Sequence, residues 1–272
     1  MKFVKLAVIA VLIFPIFHFS VISSDSHDTI SHDENKLRTS SNNAFTVGEN
    51  LNYDVYYGPI VAGSATIAVP SYESYSDRKC YRLEFTMHSA KFFDLFFKVR
   101  DSYYSLMDVS GLFPWKFEQH VREGGYKRDF TAWFDQRNHT AKSSEGGPYD
   151  ISPYTQDIVS TFFYARTLNY DTMKAGQEVH FSNFYENKVY PLDVRFLGNQ
   201  DLRTKAGKFH CQEIEPIIVK GGLFRNTGKI LIWITDDSLK LPVKVQTQVV
   251  IGSVSAELVS YSGLHGTLAA KF

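Results

Sequence analysis

Leu51-Asn52-Tyr53-Asp54-Val55-Tyr56-Tyr57-Gly58-Pro59-Ile60-Val61-Ala62-Gly63-Ser64-Ala65 is the stretch on which the fold turns. Residues 51, 53, 55 and 57 form an apolar face and residues 52 and 54 a polar one, the period of a half-buried β-strand. Gly58-Pro59 breaks that strand and turns the chain. A second strand resumes over 60–69 through small residues, so the pair reads as a hairpin. Working outward, the same alternation recurs at 79–88, 100–107, 113–121, 126–135, 179–184 and 189–196, and four more times before Tyr261. Turn-forming links such as Val109-Ser110-Gly111, Glu123-Gly124-Gly125 and Lys205-Ala206-Gly207-Lys208 separate them. About a dozen short, evenly spaced strands predict an antiparallel meander that closes, or nearly closes, on itself.

Two segments break the period of two. Ser89-Ala90-Lys91-Phe92-Phe93-Asp94-Leu95-Phe96-Phe97 is too dense in aromatics for alternation and reads as a short helix or a crossover. Residues 152–168 read as the one clear helix. Ser152 suits a cap and Pro153 a first turn, and Ile158, Phe162 and Ala165 make an apolar stripe with Val159 and Phe163 beside it. One helix cannot cover so much sheet. The expected fold is therefore mainly β: a strongly curved antiparallel sheet, half-barrel or open barrel, wrapped around one main helix. The strand texts Lys79-Cys80-Tyr81-Arg82-Leu83-Glu84 and Phe209-His210-Cys211-Gln212-Glu213-Ile214-Glu215 are alike and hint at two related half-sheets.

The chain has 272 residues, with 29 Lys+Arg against 29 Asp+Glu, 15% aromatics and two cysteines. Neutral charge argues against a polyanion partner, because phosphate contacts need clustered basic residues. Two cysteines cannot build a disulfide scaffold or a four-thiolate metal site. Lys2 and Lys5 with the apolar run 6–14 have the pattern of a secretory signal peptide over 1–23. No cysteine lies near it, so a lipoprotein anchor is not expected. Removing it leaves 27 basic and 29 acidic groups, slightly negative. Residues 24–44 are polar enough to read as a flexible tether. A single β-rich domain is expected over 45–265, then a tail over 266–272, with no transmembrane span in the mature chain.

No nucleophile elbow, phosphate loop, zinc-protease or EF-hand motif is present. No catalytic residue, metal or cofactor is expected. Asp236-Asp237 has the makings of a carboxylate dyad, but a turn that hydrogen-bonds its own backbone explains it better. Arg100 and Asp101 are adjacent on a strand and face opposite sides, so one of them points inward and needs a partner. Asp101 is a buried-polar candidate, with Arg128 and Arg166 as the residues that could supply the partner. Cys80 and Cys211 stand either as one disulfide or as two buried thiols. The aromatics Phe92, Phe93, Phe96, Phe97, Trp115, Phe130, Trp133, Phe162 and Phe163 are the candidates for lining an apolar cleft.

Several ordered motifs resemble one family: Gly48-Glu49-Asn50-Leu51-Asn52-Tyr53, Ala62-Gly63-Ser64-Ala65, Val99-Arg100-Asp101-Ser102-Tyr103, Asp157-Ile158-Val159-Ser160, Tyr164-Ala165-Arg166, Ile232-Trp233-Ile234-Thr235-Asp236-Asp237 and Leu241-Pro242-Val243. They are similar to the exported bacterial family catalogued as domain of unknown function 3108, in its Bacteroidetes-like version. The resemblance spans roughly 45–261. It implies an envelope location and a β-rich fold, and brings no catalytic residues. By fold analogy alone, the architecture is similar to curved-sheet carriers that hold acyl chains against a helical lid.

The expectation is a non-enzymatic exported protein, periplasmic or otherwise associated with the cell envelope, that binds a lipid or another amphipathic ligand on the concave face. The alternatives are a module that binds glycans or envelope proteins through exposed aromatics, and a hydrolase of envelope polymers.

Overall fold

The computed structural model describes residues 37–217, 228–249 and 252–272. The expected signal peptide, residues 24–36 of the expected tether and the far ends of two expected strands lie outside the described residues. Along the chain run β1 (Asn50–Tyr57), β2 (Ile60–Tyr75), β3 (Arg78–Ser89), the helical turn α1 (Lys91–Asp94), β4 (Arg100–Asp108), β5 (Pro114–Glu123), β6 (Tyr126–Asp135), β7 (Thr140–Ser143), β8 (Gly146–Asp150) and α2 (Ile158–Ala165). There follow β9 (Glu178–Tyr185), β10 (Lys188–Thr204), β11 (Gly207–Ile217), β12 (Ile230–Thr235), β13 (Pro242–Gln248) and β14 (Ser253–Ser262).

All fourteen strands form one open antiparallel sheet, in the order β8-β7-β6-β5-β4-β3-β2-β1-β14-β13-β12-β11-β10-β9. The order resolves into two meanders. One runs from β1 out to β8 and the other from β14 out to β9, joined where β1 pairs with β14, Asn50 opposite Ser262. The chain passes from one outer edge to the other through α2.

Those edges approach each other without a ladder between β8 and β9. The Gln156 N–H donates to the Ser182 carbonyl and the Phe184 N–H to the Gln156 carbonyl, both at 2.8 Å. Phe134 meets Phe184 edge-on at 5.8 Å, and Arg128 reaches Glu186 at 3.0 Å. The small-residue motif on β2 has a steric reason. A Cβ at Gly63 would lie 2.3 Å from the His88 carbonyl oxygen, so only glycine lets β2 and β3 close there.

The helix is shorter than the sequence suggests. Ser152 does not cap it, because residues 155 and 156 are held extended against β9. Asp157 caps instead, accepting the Val159 and Ser160 N–H groups at 2.8 Å, while the Ser160 hydroxyl accepts the Asp157 N–H. α2 packs on β3, β4 and β9.

Residues 37–44 are not a free tether. Arg38 donates to the Gly111 and Leu112 carbonyls at 2.8 and 2.9 Å and stacks over Tyr154 and Tyr164, and Ala44 is buried. The expected tail is also attached: Ala270 is buried and the Phe272 ring stacks on His210 at 4.2 Å. Cys80 and Cys211 are buried free thiols rather than a disulfide. Cys80 sits with Phe113 and Trp115 and Cys211 in the main core. Burial pushes both thiols up to about 12, which leaves them protonated and unreactive at neutral pH.

Candidate functional site

Between α2 and the sheet lies a cavity of about 160 Å³. The strand period builds its walls. Alternate residues of β12 (Ile230, Ile232, Ile234), of β10 (Leu192, Val194) and of β11 (Ile214, Pro216) face it, with Ala65 and Ile67 of β2 beyond. Ile158, Phe162 and Phe163 of α2 close the other side.

Four lining residues carry side-chain polar atoms other than through an apolar stem: Tyr53, Tyr103, Thr161 and Arg166. Three are already satisfied. The Tyr53 hydroxyl donates to the Pro242 carbonyl at 2.9 Å, and the Thr161 hydroxyl accepts from Asn183 at 2.8 Å. Arg166 is clamped by Glu49, with guanidinium-to-carboxylate distances of 2.6 and 2.9 Å, and donates to the carbonyls of Ala44, Leu239 and Lys240. Tyr103 differs. It is fully buried, packs on Phe85 at 5.8 Å, and its hydroxyl has no hydrogen-bond partner.

Directly across the ladder from Tyr103 is Gln119, 1% exposed, whose amide nitrogen and oxygen both lack partners. Two strand positions before Tyr103, on the same face, is Asp101. Its Oδ1 accepts the Arg122 N–H at 2.8 Å. The group beside it is neither Arg166 nor Arg128 but the buried carboxyl of Glu123, and the second Asp101 oxygen, Oδ2, has no hydrogen-bond partner. Two carboxylates hold acceptors only, so their proximity in a buried place favours the neutral form. Burial first, and then the Asp101 charge, push the Glu123 carboxyl up to about 7. Burial raises Asp101 as well. Burial and the Asp101 and Glu123 charges drive the Tyr103 phenol up, so it stays a neutral donor. Next to one lining residue, Tyr103, the sheet thus holds the buried amide of Gln119 and the carboxyls of Asp101 and Glu123, none of which lines the cavity.

Of the nine aromatics expected in a cleft, Phe162 and Phe163 line the cavity. Phe130 packs on Phe117 in the core and Trp115 donates to Asp108 at 3.1 Å. Trp133 is half-buried between the inward positions Ala132 and Phe134. Phe93 and Phe97 are half-buried, and Phe92 and Phe96 are exposed. Arg128, expected to be buried, is half-buried and pairs with Glu145 and Glu186. Glu49, Tyr103, Gln119 and Glu123 were not among the expected site residues. The period of two does place Tyr103 on the face of Asp101, so that one signal was available.

The Asp236-Asp237 carboxylates are occupied. Asp237 accepts from the Thr235 hydroxyl and the Leu239 and Ala270 N–H groups, and Asp236 from Gln212 and Asn199. Strand pairing brings His180 opposite Asp193, and with Glu178 their ligand atoms fall within 4.8 Å of one another. Both carboxylates already have donors, Arg195 on Glu178 at 2.8 Å and His180 on Asp193 at 2.7 Å. The cluster reads as exposed charge pairing.

The model of the family described as "Protein of unknown function (DUF3108)" matches residues 52–259. The chain belongs to that family. The family model thus covers the described strands from β1 to β14. No curated protein matches the chain. Among solved structures, a β-barrel-like protein of domain of unknown function DUF1849 from Brucella abortus is similar at 10% identity and TM-score 0.51, covering 79% of this chain and 97% of its own. At that identity the likeness bears on fold alone, and it agrees with the mainly β, barrel-like sheet. A Bacteroides fragilis protein described as exported, with a YmcC-like fold, aligns at 11% identity and TM-score 0.39 over 81% of this chain and 98% of its own. A Parabacteroides distasonis protein described as a lipoprotein aligns at 9% and 0.34, over 80% and 97%. Among the described residues no helix is long and apolar enough to cross a membrane.

Proposed function

We propose that the protein is an exported, non-enzymatic binding protein that holds the apolar part of a lipid or other amphipathic envelope ligand between α2 and the inner wall of the sheet. Export follows from the basic-then-apolar pattern of residues 1–23. The observation that carries the binding reading is the cavity itself, walled by aliphatic and aromatic groups, with the polar atoms of Tyr53, Thr161 and Arg166 already taken by partners within the protein. Walls of that kind suit the apolar part of a guest, because apolar surface gains by leaving water.

The volume constrains the mode. A void of about 150 Å³ lined by aliphatic and aromatic groups takes one benzene-sized guest. At about 160 Å³ this cavity admits a comparable length of acyl chain with α2 seated. A longer chain requires α2 to shift outward, which gives α2 the role of a lid.

Native mass spectrometry of protein gently purified from its host tests this. An adduct of lipid mass is expected, lost in Ala65→Phe, which fills the cavity from β2, while the far-ultraviolet spectrum is retained. An apo mass for the wild type, together with no uptake of a dansylated undecanoic acid, overturns the reading.

A further inference from the structure

The aromatic segment after β3 does something other than line the cavity. Phe92, Leu95 and Phe96 are 65%, 78% and 71% exposed. Such large apolar side chains displayed together are unusual on a free surface, and these are held out rigidly. Ser89 and Val99 pinch the base of the loop by hydrogen bonds at 2.8 and 3.2 Å, and the Ala90 N–H donates to Ala62 on the neighbouring hairpin at 2.8 Å. The Phe97 N–H closes a helical turn on the Phe93 carbonyl, also at 2.8 Å.

That turn has two faces. Phe97 forms the rooted one, its ring packed against the core and lying over Gly124, which is at φ +56 and where a Cβ would come within 2.8 Å of the ring. Phe92, Leu95 and Phe96 form the free one, Phe92 meeting Phe96 edge-on at 5.5 Å. The register that sets Gly63 opposite Ser89 puts the tip of the β1–β2 hairpin on the same rim, and there Ile60 and Val61 are 54% and 41% exposed.

The charges around the patch are one-sided. Lys91 and Lys98 flank the apolar face and are exposed. The one carboxylate in the loop, Asp94, is turned to Ser89 and Arg100, whose hydrogen bonds hold it well below the usual range and neutralise it.

From this juxtaposition we propose that the rim of Phe92, Leu95, Phe96, Ile60 and Val61, flanked by Lys91 and Lys98, docks the protein on a bilayer surface that carries anionic lipid. Aromatic and aliphatic side chains enter the headgroup boundary while lysines reach back to the phosphates, and the two contributions add. The charge complementarity selects a membrane over a second copy of the chain, which would oppose the same two lysines to themselves. The proposal is independent of what the cavity holds.

The test is flotation of the exported chain, processed by its host, with vesicles of phosphatidylethanolamine and phosphatidylglycerol, and with vesicles of phosphatidylcholine alone. Wild type is expected to float with the anionic vesicles and to weaken with added salt. Phe92→Ser/Leu95→Ser/Phe96→Ser is expected to bind roughly a hundredfold more weakly, and Lys91→Glu/Lys98→Glu to lose the preference for anionic vesicles. In Phe96→Trp, the tryptophan emission is expected to shift to the blue on mixing and to be quenched by brominated lipid. All these sites are exposed, so the fold is retained and a bound ligand mass is unaffected. Unchanged flotation of the triple variant, an unshifted emission in Phe96→Trp, or a vesicle-independent dimer that the triple variant abolishes each overturn the proposal.

Discussion

Glu49 and Arg166 lie 117 residues apart and are both buried, with side chains 0% and 1% exposed. The guanidinium makes five hydrogen bonds. Two go to Glu49, and three to the carbonyls of Ala44, Leu239 and Lys240. It therefore ties the end of α2 to the segment before β1 and to the turn between β12 and β13. Glu49→Gln keeps the shape and removes the charge, leaving a buried cation opposite a neutral amide. Breaking one side of such a pair costs about 3–5 kcal/mol. For a domain of this size that is a fall in Tm of roughly 6–20 °C. Arg166→Met falls in the same range, because it strands a buried carboxylate and three carbonyls. The assay is urea unfolding of Glu49→Gln, Arg166→Met and the double variant, with m constant so that the midpoint reports stability. The double variant removes both charges. Its loss is expected to be smaller than the sum of the singles by about 2 kcal/mol or more. A Glu49→Gln midpoint within about 1 kcal/mol of wild type, or strict additivity, refutes the view that this pair clamps α2.

The raised Glu123 carboxyl beside Asp101 makes stability depend on pH. Glu123 is raised from 4.5 to about 7, so its contribution is complete below pH 4.5 and is lost as pH rises through about 7, by an amount on the order of 3 kcal/mol. Denaturation midpoints between pH 5 and 8 are expected to fall in the wild type and to fall less steeply in Glu123→Gln, where Asp157 and Asp101 still titrate but Glu123 no longer does; equal slopes in the two proteins would remove Glu123 from the account. At the start of α2, Asp157 accepts two backbone N–H groups and the Ser105 hydroxyl, and burial pushes it up to about 6. Asp157→Ala is expected to lose about 2 kcal/mol in chemical denaturation. Asp157→Asn, which keeps an acceptor and drops an opposed charge, is expected to lose less than half of that; equal losses would show that the charge, not the cap, matters.

The parts of the fold legible in the sequence are those that local periodicity controls. The strand read over 126–135 is β6 to the residue, because its inward positions Phe130, Ala132 and Phe134 alternate with outward polar ones. β7 and β8 were missed for a physical reason. Thr140–Ser143 and Gly146–Asp150 hold almost no β-branched or aromatic residues, and they are strands because β6 offers a ladder edge. The helix start was misplaced because Thr155 and Gln156 satisfy the other sheet edge, a tertiary demand that Ser152-Pro153 does not announce. The motifs that identify the family turn out to be anchors. Glu49 with Arg166, Asp157 with Ser105, and Asp237 with the Ala270 N–H each satisfy polar groups between distant segments, while Ser160 and Thr235 bond locally to the same aspartates.

The candidate site was harder to read, and the aromatics show why. Composition counts rings but cannot say which way they point, and direction is what separates core from cavity from surface. Phe162 and Phe163 are adjacent on a helix and both meet the cavity. Phe92 and Phe97 sit in one short run and face opposite ways, one to solvent and one over Gly124. The difference lies in what each neighbour leaves open: Gly124 clears a seat for Phe97, and nothing described covers Phe92. The same logic governs the polar groups. Asp101 was legible as an inward charge in want of a partner, but its partner depends on where β5 ends. The bridge between Val99 and Glu123 carries the β4–β5 register on to that final glutamate, which supplies a second carboxyl where an arginine was expected.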